Sequence, residues 1–209
     1  MITRRRFIAA GALVMAVPVP VPGKAGESFT GRPHDHGAIR TYAIEGSLAT
    51  VALRAGDVAT VLLHVARRWH YEIAAVDSGE GGGVFGYRAG QVVEAPFESA
   101  YLSGTAIAIH PAAYPLRGSE RLWPHQELIV RDILADCAGT VRWGGDLTPV
   151  KASHFQIDVA PGSRKLARVA AELRTDRSAP AVPLAGAAVD PATPARRVRA
   201  RALQRTQGG

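Results

Sequence analysis

The residues with the clearest chemical potential lie in and around one stretch, SAYLSGTAIAIHPAAYP, which runs from Ser99 to Pro115. Its glycine and its run of small and apolar residues predict a turn that leads into a buried strand. Arg88 precedes this stretch, and Lys151 and His154 follow it. Cations and hydroxyls of this kind can hold an anionic ligand, whereas zinc-assisted hydrolysis needs about three protein ligands and a metal-bound water. The pattern leaves open whether the region carries out a reaction or only binds.

Four segments occur in a fixed order from Gly86 through Val159: GYR, SAYLSGTAIAIHP, WGGD and KASHFQIDV. Over about residues 45–160, their order and spacing resemble the zinc-dependent bacterial cell-wall peptidases that include D-alanyl-D-alanine carboxypeptidases and L-alanyl-D-glutamate endopeptidases. The resemblance implies the Hedgehog/DD-peptidase fold, an α+β fold with a small antiparallel sheet and flanking helices. The positions that match the frame of the family motif are Ser99, Ser103, Gly104, Thr105, Ala106 and Ile107.

The positions that would do the chemistry do not match. The resemblance places the first zinc histidine at Tyr101, the zinc aspartate at Ala108 and the catalytic aspartate at Lys151, so that His154 is the remaining ligand. A tyrosine binds a metal only as tyrosinate, which is costly at neutral pH from a pKa of about 10. An alanine has no lone pair, and an ammonium group repels a divalent ion. We therefore expect no catalytic residue, no bound zinc and no other cofactor.

A rebuilt metal site is not expected elsewhere. His110 lies two residues beyond Ala108 and would share its strand face, but about 6–7 Å further along the strand. Because an antiparallel neighbour runs the opposite way, no third ligand is predicted beside it. The other histidines are predicted to lie in a linker or on or beside helices, where lone histidines are usually structural or solvated: His34, His36, His64, His70 and His125.

The leading hypothesis is an exported, catalytically inactive peptidase-like domain that binds peptidoglycan stem peptide or a similar anionic ligand. Lys151 and Arg88 would hold a ligand carboxylate, and Tyr101 would supply an aromatic wall and a hydroxyl. The expected ligand-binding residues are Arg88, Ser99, Tyr101, Lys151 and His154. One alternative is a cell-wall zinc metallopeptidase with non-standard ligands, and another is an envelope scaffold or interaction protein. A purely structural interpretation is also open, in which a buried strand follows a glycine turn and His154 is a hydrogen-bonded core histidine.

The ends of the chain differ in composition from its middle. Residues 1–25 begin with a basic segment, TRRRFI, and continue with an apolar stretch broken by prolines, which predicts an export signal of the twin-arginine type. An ordinary secretory signal is the alternative. Residues 26–40 are predicted to be a linker, 41–175 the peptidase-like domain and 176–209 a disordered basic tail. That tail could contact an anionic envelope polymer or lipid, or it could be solvated and have no partner.

The charge distribution argues against a nucleic-acid-binding protein. The formal net charge is +7, but residues 1–25 and 176–209 each carry +4, so about −1 remains for the middle of the chain. Cys137 is the single cysteine, which excludes an internal disulfide. No stretch of the sequence is predicted to span a membrane.

The predicted elements alternate without an internal repeat, which favours an α+β fold. Asp57 is predicted to cap one helix, Pro124 to open a second and Ser163 to cap a third. Strands are predicted over Tyr71 to Val76, Thr105 to His110, Thr140 to Trp143 and His154 to Val159.

Overall fold

The computed structural model describes residues 39–160, 162–178 and 190–207. These residues form an α+β structure that contains two antiparallel sheets. The strands are β1 (Ile39–Ala43), β2 (Thr50–Arg54), β3 (Val84–Phe85), β4 (Ala106–Ile109), β5 (Val141–Trp143) and β6 (His154–Ile157). The helices are α1 (Asp57–Glu72), α2 (Ser99–Leu102), α3 (Pro124–Asp136), α4 (Arg164–Ser178) and α5 (Pro194–Gln207). β1 and β2 pair as a hairpin, and the larger sheet has the order β3-β4-β6-β5.

The helices predicted near Asp57, Pro124 and Ser163 are confirmed as α1, α3 and α4. The hydroxyl of Ser163 accepts a hydrogen bond from the backbone N–H of Leu166 at 3.2 Å, which is the expected N-cap contact. Asp57 differs from its prediction: it is the first helical residue, and Gly56 occupies the cap position with φ +89°. The Asp57 carboxylate instead pairs with Arg174 at 3.0 Å and so ties α1 to α4.

Three of the four predicted strands are confirmed as β4, β5 and β6, with slightly shorter bounds. The strand predicted over Tyr71 to Val76 is wrong, because α1 continues to Glu72 and the chain then turns. The imidazole Nδ1 of His70 accepts the backbone N–H of Val76 at 3.2 Å, which holds this turn against the helix end. Sequence patterning did not predict β1, β2 or the two-residue strand β3.

The larger sheet has two different faces because side chains alternate along each strand. On one face, Ile107 and Phe155 join the main hydrophobic core together with residues of α1, α3 and α4. On the other face, Ala106 and Ala108 pack with Tyr101 of α2 and with Phe85. This second face positions the candidate site.

The turn between α2 and β4 has a structural requirement for glycine. Gly104 has φ +65°, and a Cβ there would lie 2.4 Å from Ile39 Cδ1 and 2.8 Å from the backbone nitrogen of Arg54. The Gly104 carbonyl accepts the Arg54 N–H at 2.9 Å, so the turn docks directly on β2. The hydroxyls of Ser103 and Thr105 bond to each other at 2.8 Å and to the carbonyl of Ala100. The backbone thus requires glycine at position 104, and the hydroxyls on either side of it stabilise the turn.

Residues 194–207 correct the prediction of a disordered tail, because they form α5 and pack against α3. The guanidinium of Arg196 donates to the carboxylate of Asp132 at 2.6 and 2.7 Å and also contacts Asp136. Leu203 packs against the main core. The low apolar content suggested disorder, but the paired carboxylates on α3 anchor the helix by charge.

The predicted export signal over residues 1–25 lies outside the described residues, as do residues 26–38 of the predicted linker. The last two residues of that linker, Ile39 and Arg40, belong to β1. Within the described part of the chain, no helix has both the length and the apolar character needed to cross a bilayer.

Candidate functional site

The structure brings together the four positions that the resemblance to zinc peptidases singles out: Tyr101, Ala108, Lys151 and His154. Ala108 of β4 lies directly opposite His154 of β6, so the two side chains share one face of the sheet. Tyr101 projects from α2 to the same place, and its phenol oxygen lies 2.6 Å from His154 Nδ1. Lys151 is held just before β6, where its N–H donates to the Gly144 carbonyl and its own carbonyl accepts the His154 N–H.

Both ring nitrogens of His154 are engaged within the protein. Nδ1 contacts the Tyr101 phenol at 2.6 Å, and Nε2 contacts Gln156 Oε1 at 3.0 Å. Because the Gln156 oxygen is an acceptor, the tautomer that satisfies both contacts is neutral: Nε2–H donates to Gln156, and Nδ1 accepts the tyrosine O–H. Burial lowers the pKa of His154 to about 4, and the nearby Lys151 charge contributes in the same direction. The imidazole is therefore uncharged at neutral pH.

The aromatic surroundings of His154 are tightly packed. The Tyr101 ring meets the imidazole edge-to-face with centroids 5.1 Å apart, and Phe97 lies 4.8 Å away. Burial, with a smaller contribution from the Glu98 charge, raises the pKa of the Tyr101 phenol well above its usual value. Tyrosinate formation is strongly disfavoured as a result, and Tyr101 acts as a neutral hydrogen-bond donor.

The ammonium of Lys151 is paired with a carboxylate that the sequence did not single out. Lys151 Nζ donates to Glu98 Oε1 at 2.7 Å, and both side chains are almost fully buried. The other carboxylate oxygen, Oε2, accepts the backbone N–H groups of Glu94 at 2.9 Å and Ala95 at 3.3 Å. Burial alone would raise the pKa of Glu98, but these hydrogen bonds, led by that from Lys151, lower it on balance. The pair is a closed, ionised contact.

This cluster is filled by its own side chains. Tyr101, Ala108 and His154 are 0% exposed, and Lys151 is 6% exposed. A ligand carboxylate can reach the Lys151 ammonium only by displacing Glu98. The structure thus agrees with the interpretation of His154 as a hydrogen-bonded core histidine.

Arg88 and Ser99, the other two predicted ligand-binding residues, lie at the edge of this cluster. Arg88 is exposed, and its guanidinium carbon lies 3.8 Å from the centre of the Phe85 ring. Ser99 is buried and donates its hydroxyl to the carbonyl of Pro96 at 2.8 Å. Arg88 therefore presents a cation to solvent, whereas Ser99 holds the start of α2.

The remaining histidines of the described chain do not join the cluster. His110 follows β4 with φ +53° and stacks on Trp69 with ring centroids 6.1 Å apart. His64 lies 3.8 Å from the Asp136 carboxylate beside α5. His34 and His36 lie outside the described residues.

The donor set does not fit a catalytic zinc ion. Among the described residues, no group of three or more histidine, cysteine, aspartate or glutamate side chains is placed to hold a metal. At the position that the resemblance indicates, the imidazole already uses both nitrogens, and the phenol is held neutral. The ammonium of Lys151 lies 5.1 Å from the centre of the Tyr101 ring and would repel a divalent ion.

Sequence reasoning missed Glu98, Gln156 and Phe97. Gln156 had a usable signal, because it lies two residues from His154 on a strand and so shares its face. Glu98 gave no such signal, since its partner Lys151 is 53 residues away.

Comparison of the chain with protein-family models, with curated proteins and with solved structures finds no match.

Proposed function

We propose that the chain is an exported, catalytically inactive relative of the zinc cell-wall peptidases that binds peptidoglycan stem peptide or a similar anionic ligand. The observation that carries the proposal is the neutral His154, whose ring nitrogens are both hydrogen-bonded at the place where the resemblance requires a metal ligand. Lys151 occupies the position of the expected carboxylate base, and the carboxylate that the cluster does contain, Glu98, is held by Lys151 and by two backbone N–H groups. Water activation by a metal or a base therefore has no support at this cluster.

Arg88 is the residue that we propose contacts the anionic group of the ligand directly. Its guanidinium is exposed and lies over the Phe85 ring, which limits its freedom while its N–H groups stay available. A planar guanidinium can bind a carboxylate through two parallel hydrogen bonds. Lys151 lies behind this surface and neutralises Glu98, so its proposed role is to keep the surface free of a repelling carboxylate.

Titration of the purified chain with a muropeptide tests the ligand. We expect Arg88→Ala to weaken binding about tenfold, which is the loss of one charged hydrogen-bonding group. Arg164→Ala, which removes an equal charge from an exposed position on α4, should leave the affinity unchanged. Absence of binding, or equal losses in the two variants, would refute stem peptide as the ligand at Arg88.

An envelope scaffold or interaction protein is the second candidate. The observation that favours it is the closed cluster, in which three of the four key side chains have no exposed surface. A correctly folded chain that is exported but binds no muropeptide would support this candidate over the first.

The peptidase-like frame can be tested by restoring ligands. Ala108 lies opposite His154, and Tyr101 contacts His154. Tyr101→His combined with Ala108→Asp should therefore bring two histidines and one aspartate together as a zinc site. Because Glu98 neutralises the Lys151 ammonium that stays beside the site, we expect this double variant to take up about one zinc per chain and to gain thermal stability when zinc is added. Tyr101→His alone supplies only two ligands and is the control. A double variant that folds but does not bind zinc would contradict the proposed zinc-peptidase-like arrangement of these positions.

The alternative of a metallopeptidase with non-standard ligands makes a different prediction. It requires bound metal in the unaltered chain, before any substitution. The same zinc analysis therefore separates this alternative from the proposed inactive domain.

A further inference from the structure

The packing of α5 against α3 creates a groove on the side of the molecule that carries these helices. Its volume is about 210 Å³, and its walls include Leu128, Arg131, Arg197, Ala200, Arg201 and Gln204. Glu127, the acidic residue of the lining, pairs with Arg131 at 3.0 Å, and Arg131 is shared with Asp146. The two arginines contributed by α5 thus dominate the charge of the groove.

The arginines of α5 divide into two sets. Arg196 and Arg199 face the carboxylates of α3, with Arg196 only 2.6 Å from Asp132 and Arg199 3.7 Å from Asp136. Three others are exposed and have no ion pair within the described part of the chain: Arg197, Arg201 and Arg205.

The three exposed arginines are spaced four residues apart, which places them along one side of the helix with about 6 Å between successive residues. α5 contains no acidic residue that could balance them. Arg197 and Arg201 also line the groove. The helix therefore presents a row of cations that continues along the edge of a concave surface.

Two common polyanionic partners fit this surface poorly. A helix that lies on a bilayer needs several bulky apolar side chains on its outer face, but the exposed apolar residues of α5 are Pro194, Ala195, Val198 and Ala202, of which only Val198 is a large hydrophobic residue. Single-stranded nucleic acids are usually held by aromatic side chains that stack on bases, and no aromatic residue lines the groove. The surface therefore suits a polymer that carries phosphate groups but has neither an apolar anchor nor nucleobases.

We propose that the groove between α3 and α5 binds a flexible, phosphodiester-linked polyol polymer of the cell envelope. Arg197 and Arg201 hold successive phosphates, and Arg205 extends the contact along the helix. Guanidinium groups suit this task because they bind phosphate oxygens in pairs. The choice of an envelope polymer rests on the proposed function, which places the protein outside the cytoplasm.

The test is titration of the full-length chain with a defined poly(glycerol phosphate) oligomer at several salt concentrations. We expect binding that weakens with salt, and we expect Arg197→Gln combined with Arg201→Gln to reduce the affinity about tenfold or more. The slope of log affinity against log salt should also become shallower, because fewer counterions are released when two phosphate contacts are lost. The matched control is Arg164→Gln combined with Arg168→Gln, which removes the same charge at the same spacing from exposed positions on α4.

Retained affinity in the α4 control together with loss in the α5 variant supports the groove. Equal losses of affinity in the α4 and α5 variants would show that the polymer responds only to net charge, and this would overturn the proposal. Absence of binding would also overturn it. Tighter binding to an oligothymidylate with the same number of phosphates, or to phosphatidylglycerol vesicles, would also overturn it by assigning another occupant. Muropeptide titration and cell fractionation test the proposed function separately, so its failure is distinguishable from failure of the groove.

Discussion

Replacing Glu98 with glutamine is expected to lower the free energy of unfolding by about 3–5 kcal/mol, the usual cost of leaving a buried charge without its partner. Glu98 and Lys151 are only 3% and 6% exposed, so water cannot compensate the stranded ammonium. The substitution keeps the size of the side chain, so the loss reports the missing charge together with the one acceptor position that the amide nitrogen cannot supply. Chemical denaturation monitored by circular dichroism measures it.

Two further variants separate pairing from packing. Removing the ammonium as well, by Lys151→Met in the Glu98→Gln background, should recover much of the loss because no buried charge remains. Glu172→Gln breaks the exposed pair with Arg168 on α4 and should cost less than about 1 kcal/mol. If Glu98→Gln lowers the free energy of unfolding no more than Glu172→Gln does, the Glu98–Lys151 pair does not stabilise the closed cluster.

The second large effect is a loss of stability in mild acid. The pKa of His154 is about 4 in the folded protein, compared with about 6.5 for an exposed histidine. The unfolded chain therefore binds a proton in this range that the folded chain does not. The contribution of the neutral His154 to the free energy of unfolding is fully present above about pH 6.5 and is lost as the pH falls towards about 4. The total loss over this range is about 3 kcal/mol.

His154→Gln tests this assignment, because it removes the titrating group and keeps a side chain that can hydrogen-bond. We expect a flatter dependence of unfolding free energy on pH between about 6.5 and about 4. Some slope should remain, since burial also lowers the pKa of His110. The carboxylates of Glu98 and Asp136, whose pKa values are lowered, act at still more acid pH. If the slope of unfolding free energy against pH is the same in His154→Gln, the pH dependence does not come from the lowered pKa of His154.

The sequence predicted those parts of the fold that local patterns control. The apolar stripe of α1, the proline that opens α3 and the serine cap of α4 are all local signals. These signals depend on periodicity and capping, which neighbouring residues determine. The antiparallel pairing of β4 with β6, which places Ala108 opposite His154, joins distant parts of the chain and was expected only from the resemblance.

Distant charge pairing was not predictable in the same way. Glu98 and Lys151 are 53 residues apart, and Arg196 and Asp132 are 64 residues apart. In both cases a charged side chain in the sequence suggested contact with solvent or ligand, but a partner on another element satisfies it internally. This explains why α5 was mistaken for a disordered tail and why Lys151 was predicted to contact a ligand directly.

The most direct test of the central claim is the metal content of the purified chain after incubation with zinc and removal of unbound ion. The account predicts less than about 0.1 zinc per chain, because one neutral imidazole beside an ammonium group cannot replace three ligands. Zinc bound at about one ion per chain and lost in His154→Gln would contradict it.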